Sequence, residues 1–139
     1  MLKKISLVLF LILFSAHAYS AGSDSTPKKV KSDYDKAVES IKFAKKYEKK
    51  GKVEKAKKRY EKAQKFLLKS NKEKPNQADT LNYLGFTTRK LGDYENGEKY
   101  YLMGLKINPN HTGINEYLGE LYVTTNRIDL ARERLKVLE

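Results

Sequence analysis

Two histidines, no cysteine and a thin scatter of serines are all that this chain offers for nucleophilic or metal chemistry. His17 lies in an apolar N-terminal stretch, which leaves His111, beside Pro109. A metal site needs several N, S or O ligands in register, and no ligand-type residue stands at a useful spacing from His111. It reads as an exposed loop histidine. Beyond residue 18 the serines lie mostly between Tyr19 and Ser32, with no base placed to activate them. The absence of cysteine removes thiol chemistry and disulfides together. Carboxylates are spread along the chain opposite lysines, as in Glu54 with Lys58 and Glu61 with Lys65, a spacing that supports exposed helices rather than acid–base catalysis. The glycines do not form a phosphate-binding loop. No cofactor, no metal and no enzymatic activity are expected.

The charged residues say more. The chain carries 29 Lys/Arg against 17 Asp/Glu, a formal charge of +12, and the excess is unevenly placed. Residues 28–74 hold 19 Lys/Arg and 7 Asp/Glu, whereas residues 75–139 hold 8 and 9. Lys55, Arg59, Lys62, Lys65, Lys69 and Lys72 recur at intervals of three and four. On a helix rising 1.5 Å per residue they would form a cationic stripe roughly 25 Å long. Such a stripe suits an acidic protein, an anionic lipid surface or a cell-wall polymer. Nucleic acid is not the expected partner, because no aromatic residues interleave with the lysines as stacking platforms.

Three kinds of segment position these residues. Lys3 and Lys4 precede the apolar run 5–14, and Ala16-His17-Ala18 then offers the small-x-small pattern of a cleavage site. Residues 1–18 therefore read as a signal peptide for export, with the periplasm of a bacterium as the expected destination; an uncleaved membrane anchor is the alternative. The run is shorter than the roughly 20 residues of a comfortable span. Residues 19–32 are small and polar, without periodicity, and read as a flexible linker. From residue 33 to 139 everything reads as helix. Gly51 divides 33–50 from 52–74, Pro75 ends the second segment, and Gly92-Asp93 divides 78–91 from 94–107. Asn108-Pro109-Asn110 and Asn126 make the remaining breaks. Glycine and asparagine accept the left-handed conformation that closes a helix, and proline cannot continue one. The fold class is all-α, six helices in three antiparallel pairs.

The pairs repeat. Tyr83-Leu84-Gly85 returns as Tyr117-Leu118-Gly119, 34 residues later. Around it, Leu84, Gly85, Gly92, Tyr94, Gly97, Tyr101 and Gly104 map onto Leu118, Gly119, Asn126, Ile128, Ala131, Leu135 and Leu138. Small residues at Gly85 and Gly119 would let paired helices touch, while Leu84, Tyr94 and Tyr101 fill the space beside them. Phe43, Ala44, Tyr47, Gly51, Val53, Ala56, Tyr60 and Ala63 make an earlier copy, with Pro75 seven residues late. Seven residues are about two helical turns, so the second helix of that copy lengthens without changing face. This alternation resembles the tetratricopeptide repeat (TPR), a 34-residue helix–turn–helix. The units fall at about 33–75, 78–111 and 112–139. Thr88 replaces an aromatic usual in the repeat, and Gly97 and Gly104 stand where alanine is commoner, which lowers helix propensity by about 1 kcal/mol each.

The resemblance implies a short right-handed α-solenoid whose first helices line a concave groove. It implies groove positions at Asp79, Asn82, Phe86, Arg89 and Lys90 in the second unit, and at Gly113, Glu116, Glu120 and Val123 in the third. Lys45 and Lys49 are their counterparts in the first. Phe86 is expected either as an aromatic anchor for a peptide side chain or as packing against the neighbouring helix. Asn82 alone does not complete the carboxylate clamp known in the family. The expected role is an adaptor or scaffold that holds a protein or peptide partner, with acidic chemistry favoured by the charge. Leu135 and Leu138 belong to a packing face without a covering helix, which points to self-association or partner docking at that end.

Overall fold

Helix boundaries follow from local stereochemistry, and the computed structural model, which describes residues 30–139, shows how. Six helices run α1 (Asp33–Glu48), α2 (Val53–Glu73), α3 (Ala78–Lys90), α4 (Tyr94–Ile107), α5 (Thr112–Thr124) and α6 (Ile128–Leu138), with no strand among the described residues. The signal-peptide reading of residues 1–18, and nearly all of the linker, lie outside the described residues. Ser32 opens α1 with a capping box: its hydroxyl accepts from the Asp35 N–H and the Asp35 carboxylate accepts from the Ser32 N–H. Asp93 caps α4 by accepting from the Asn96 N–H at 3.0 Å.

The turn inside each pair is built the same way three times. Gly51, Gly92 and Asn126 have φ of +65°, +96° and +57°. The next residue's N–H in each case bonds back five positions, Lys52 to Tyr47, Asp93 to Thr88 and Arg127 to Tyr122, at 2.9, 3.1 and 2.8 Å. This double-bonded ending satisfies carbonyls that the helix leaves open. α2 has 21 residues and α4 has 14.

Packing within the pairs matches small against large. Ala37, Ile41 and Ala44 of α1 meet Ala56, Tyr60, Ala63 and Leu67 of α2, and Leu81, Leu84 and Phe86 of α3 close the same cluster. Tyr101, Ile114, Leu118, Leu121 and Tyr122 form a second cluster. In the second pair three helical glycines lie at close approaches: a Cβ on Gly85 would lie 2.5 Å from the Tyr101 ring, one on Gly97 3.2 Å from the Gly85 carbonyl, and one on Gly104 would overlap Ile114 Cδ1. Close approach therefore accounts for two glycines that propensity alone would count against the helix. Thr88, in place of an aromatic, is buried and accepts from Gln64 at 2.9 Å, tying α3 to α2.

Several expectations are corrected. Val53, a packing position of the first copy by its spacing, is instead 68% exposed, because as the first helical residue it points off the end of the cluster, and the buried face of α2 begins at Ala56. Tyr94 is only partly covered, at 40% exposed. Gly119 is not needed for close approach, since an added Cβ would meet only Arg134 Cβ at 3.6 Å. The Glu54–Lys58 and Glu61–Lys65 pairs do not close among the described residues; the ion pairs on α2 are Lys69 with Asp33 at 2.7 Å and with Glu73 at 3.9 Å. No residue of α6 is buried, and Leu135 is 55% exposed, with Leu138 also open.

Candidate functional site

The first helices of the pairs, α1, α3 and α5, contact one another in sequence. At the centre of the surface they share lies a stack of aromatic rings. Phe86 sits between Tyr60 and Tyr117, with ring centroids 5.7 Å apart at 71° and 4.9 Å apart at 39°. Edge-on and tilted contacts of this kind suit the charge distribution of the rings. Phe86 is only 2% exposed. It is therefore a floor rather than an open anchor: packing claims the ring, and cations cover it.

Those cations come from two helices. Lys45 Nζ of α1 lies 4.6 Å from the Phe86 ring centre and 5.4 Å from that of Tyr117, and donates to the Tyr117 hydroxyl at 3.1 Å. The Arg89 guanidinium lies 5.9 Å from Phe86 and 6.0 Å from Tyr117. It reaches Glu120 of α5 at 2.6 Å through one terminal nitrogen. Lys90 pairs with Glu48 at 2.9 Å, and the other oxygen of Glu48 accepts from the Tyr60 hydroxyl at 2.8 Å. Burial and the Glu48 carboxylate push the Tyr60 phenol above its ordinary pKa. Lys45, Glu48, Lys49, Phe86, Arg89, Lys90, Tyr117 and Glu120 together line a depression of about 280 Å³. Beneath it, Arg89 Nε and the Tyr101 hydroxyl are buried without a hydrogen-bond partner.

The structure thus brings together Lys45, Lys49, Phe86, Arg89, Lys90 and Glu120 from the sequence-derived groove set. Asp79, Asn82 and Glu116 lie elsewhere. Asn82 is buried, its side chain covered by the Gly113 backbone, where a Cβ would lie 2.8 Å from Asn82 Nδ2. Asp79 and Gly113 line a different cavity of about 660 Å³, and Glu116 and Val123 border an apolar depression with Leu135 and Leu138. His111 also departs from expectation. Its Nδ1 accepts from the Ile114 N–H at 3.1 Å, capping α5, and its Nε2 lies 2.9 Å from Asp79 Oδ1. With Nδ1 accepting, the proton sits on Nε2 and is donated to Asp79, so the ring pins α5 to α3.

Tyr117, Tyr60 and Glu48 were not among the sequence-derived candidates. A signal for one of them was present. The repeated tyrosine of Tyr83-Leu84-Gly85 and Tyr117-Leu118-Gly119 faces the groove in both units: Tyr83 lines a second depression of about 410 Å³ with Val38, Ile41, Lys42, Lys45, Lys46 and Lys49.

The stripe on α2 is less uniform than its spacing implies. Lys55, Lys62, Lys65 and Lys72 are exposed, but Arg59 is half-buried over the Phe43 ring at 5.1 Å. Lys69 is held by Asp33, which is buried and also bound by Lys36 at 2.8 Å. Hydrogen bonds from Lys36 and Lys69 hold the Asp33 carboxyl below its ordinary pKa. Among the described residues no group of three His, Cys, Asp or Glu is placed to hold a metal ion, and no helix is long and apolar enough to cross a membrane.

Comparison with known proteins bears on the fold. The tetratricopeptide-repeat family model matches residues 78–111. Among 49 matching chains of solved structures is the MamA RS-1 ArsTM double mutant, with a TM-score of 0.52 at 23% identity. That likeness, which concerns the fold, covers 74% of this chain and 54% of the other, so the present chain spans about half the length of that relative. No curated protein matches.

Proposed function

We propose that this chain, which has the fold of tetratricopeptide-repeat proteins and matches that family's model over residues 78–111, is an exported, non-enzymatic adaptor whose α1–α3–α5 surface holds a protein partner. Repeats of this family serve as scaffolds for protein–protein contact. The observation that carries the finer reading is the convergence of Lys45, Lys49, Arg89 and Lys90 over the Phe86–Tyr117 floor. Aromatic and arginine side chains in a shallow concavity are the groups that dominate binding energy at protein interfaces.

Site-specific photo-crosslinking tests the reading. A photoreactive residue in place of Lys49 should trap the partner, and one in place of Lys65 on α2 should not. Trapping from the α2 position alone would overturn it. Fractionation of cells expressing the full chain tests export, by whether the protein leaves the cytoplasm in a form shortened near residue 18.

A second reading, attachment to anionic lipid or wall polymer, draws on the exposed Lys55, Lys62, Lys65 and Lys72. It requires binding to anionic vesicles that falls steeply with salt and is lost on Lys62→Glu with Lys65→Glu.

A further inference from the structure

We propose that the depression between α1, α3 and α5 is a carboxylate site for an acidic peptide, and that Glu120 is the internal stand-in which a peptide carboxylate displaces from Arg89. The proposal rests on the groove reading above and adds the chemistry of the partner.

Arg89 is the centre of the site. Its side chain is 10% exposed, beside the Phe86 and Tyr117 rings, yet its charge meets Glu120 through a single nitrogen–oxygen contact. A guanidinium offers a planar fork that takes a carboxylate through two parallel bonds. Here the fork is half used. Glu120 is 52% exposed, and its carboxylate makes no other hydrogen bond among the described residues. Glu48 contrasts with it, since both of its oxygens are engaged, one by Lys90 and one by Tyr60. Of the two acids at the rim, Glu120 is the one that can swing out.

The charge balance favours an incoming anion. Four cations line the depression against two carboxylates, and neither Lys45 nor Lys49 is ion-paired among the described residues. The ring floor supplies a low-dielectric wall, where charge-assisted bonds strengthen. Size points to a peptide side chain: about 280 Å³ accommodates one acidic residue. Adjacent to it, sharing Lys45 and Lys49, lies the depression floored by Val38, Ile41 and Tyr83, with Lys42 and Lys46 at its edge. An acidic residue close to an apolar one, on an extended or helical segment, meets both. A duplex or a headgroup layer would engage the lysines but leave the apolar floor empty.

The test uses the full chain and a fluorescein-labelled peptide of alternating glutamate and leucine, with binding read by fluorescence anisotropy and the contact surface by amide chemical shifts. Glu120→Gln should tighten binding about tenfold, equivalent to about 1.4 kcal/mol, because the internal competitor is gone. Arg89→Gln should weaken binding by at least as much, and Lys49→Gln, at an exposed position that leaves folding undisturbed, should weaken it severalfold. A glutamine–leucine peptide should lose to the glutamate–leucine one. Unchanged or weaker binding by Glu120→Gln overturns the proposal. So does tightening by Glu120→Gln toward phosphatidylglycerol vesicles but not toward the peptide. If the glutamine–leucine peptide binds equally and shifts groove amides, the groove reading stands and the carboxylate site falls. If no peptide shifts groove amides and crosslinks map to α2, the groove reading itself falls.

Discussion

At Gly85 the atoms nearest a would-be methyl group are Cε1 and Cδ1 of Tyr101, a fully buried ring with nowhere to retreat. Gly85→Ala should therefore lower stability by about 1–3 kcal/mol, the usual cost of overpacking a core. Gly119 holds the same place in the next unit but has slack around it. Gly119→Ala should raise stability by up to about 1 kcal/mol, since alanine is the better helix former and nothing blocks its methyl. Urea denaturation of both variants should give opposite signs; a matching loss in each would contradict this account. The residue opposite explains the difference. Tyr101 becomes Leu135 one repeat later, and Leu135 turns out to solvent. The repeat spacing was legible in the sequence because packing positions recur with the fold. The tightness at each position was not, because it depends on a partner sixteen residues away and on whether that partner is buried. His111 was misread for the same reason, as Asp79 lies 32 residues before it. Asp33 gives a pH prediction at this scale. Its carboxyl is held below its ordinary value by Lys36 and Lys69, so its contribution is full above the unfolded-chain value near 3.9 and is lost as pH falls through the lower folded value. Asp33→Asn should flatten the melting temperature against pH in the acid range below about 4, as scanning calorimetry would show.

At the scale of elements, the three identical turns decide where α1, α3 and α5 stop. Asn126 carries one of them in a conformation that costs other side chains about 1 kcal/mol. Asn126→Ala should lose about that much stability, whereas Asn126→Gly should hold or gain, a contrast that thermal melts resolve. These boundaries were readable from residue type because the stereochemistry of a left-handed turn is local. The groove was readable only in part. Spacing places Phe86 on the side of α3 that meets α1 and α5, but whether the ring stands open depends on Tyr60 and Tyr117, which arrive from α2 and α5. Sequence distance hides such neighbours even when the helices themselves are plain.

At the scale of the whole molecule, the basic half and the near-neutral half meet at the groove, where α1 supplies lysines and α5 supplies Tyr117 and Glu120. A charge reversal at Lys49 should cost partner binding more than one at Lys65, although both are exposed lysines of the same half. Competition binding at a fixed salt concentration separates the two, and equal losses would mean that net charge, rather than the depression, governs capture. Burial is not shared evenly among the helices. α1, α2 and α3 contribute ten residues to one buried cluster, and α6 contributes none to either. In time rather than space, this sets an order of opening. Amides of α6 should exchange with solvent first and those at the α2–α3 seam last, as hydrogen-exchange mass spectrometry would record. The helix that carries Glu120 packs on α6, the helix expected to open earliest, so the persistence of the groove's α5 wall is expected to depend on α6.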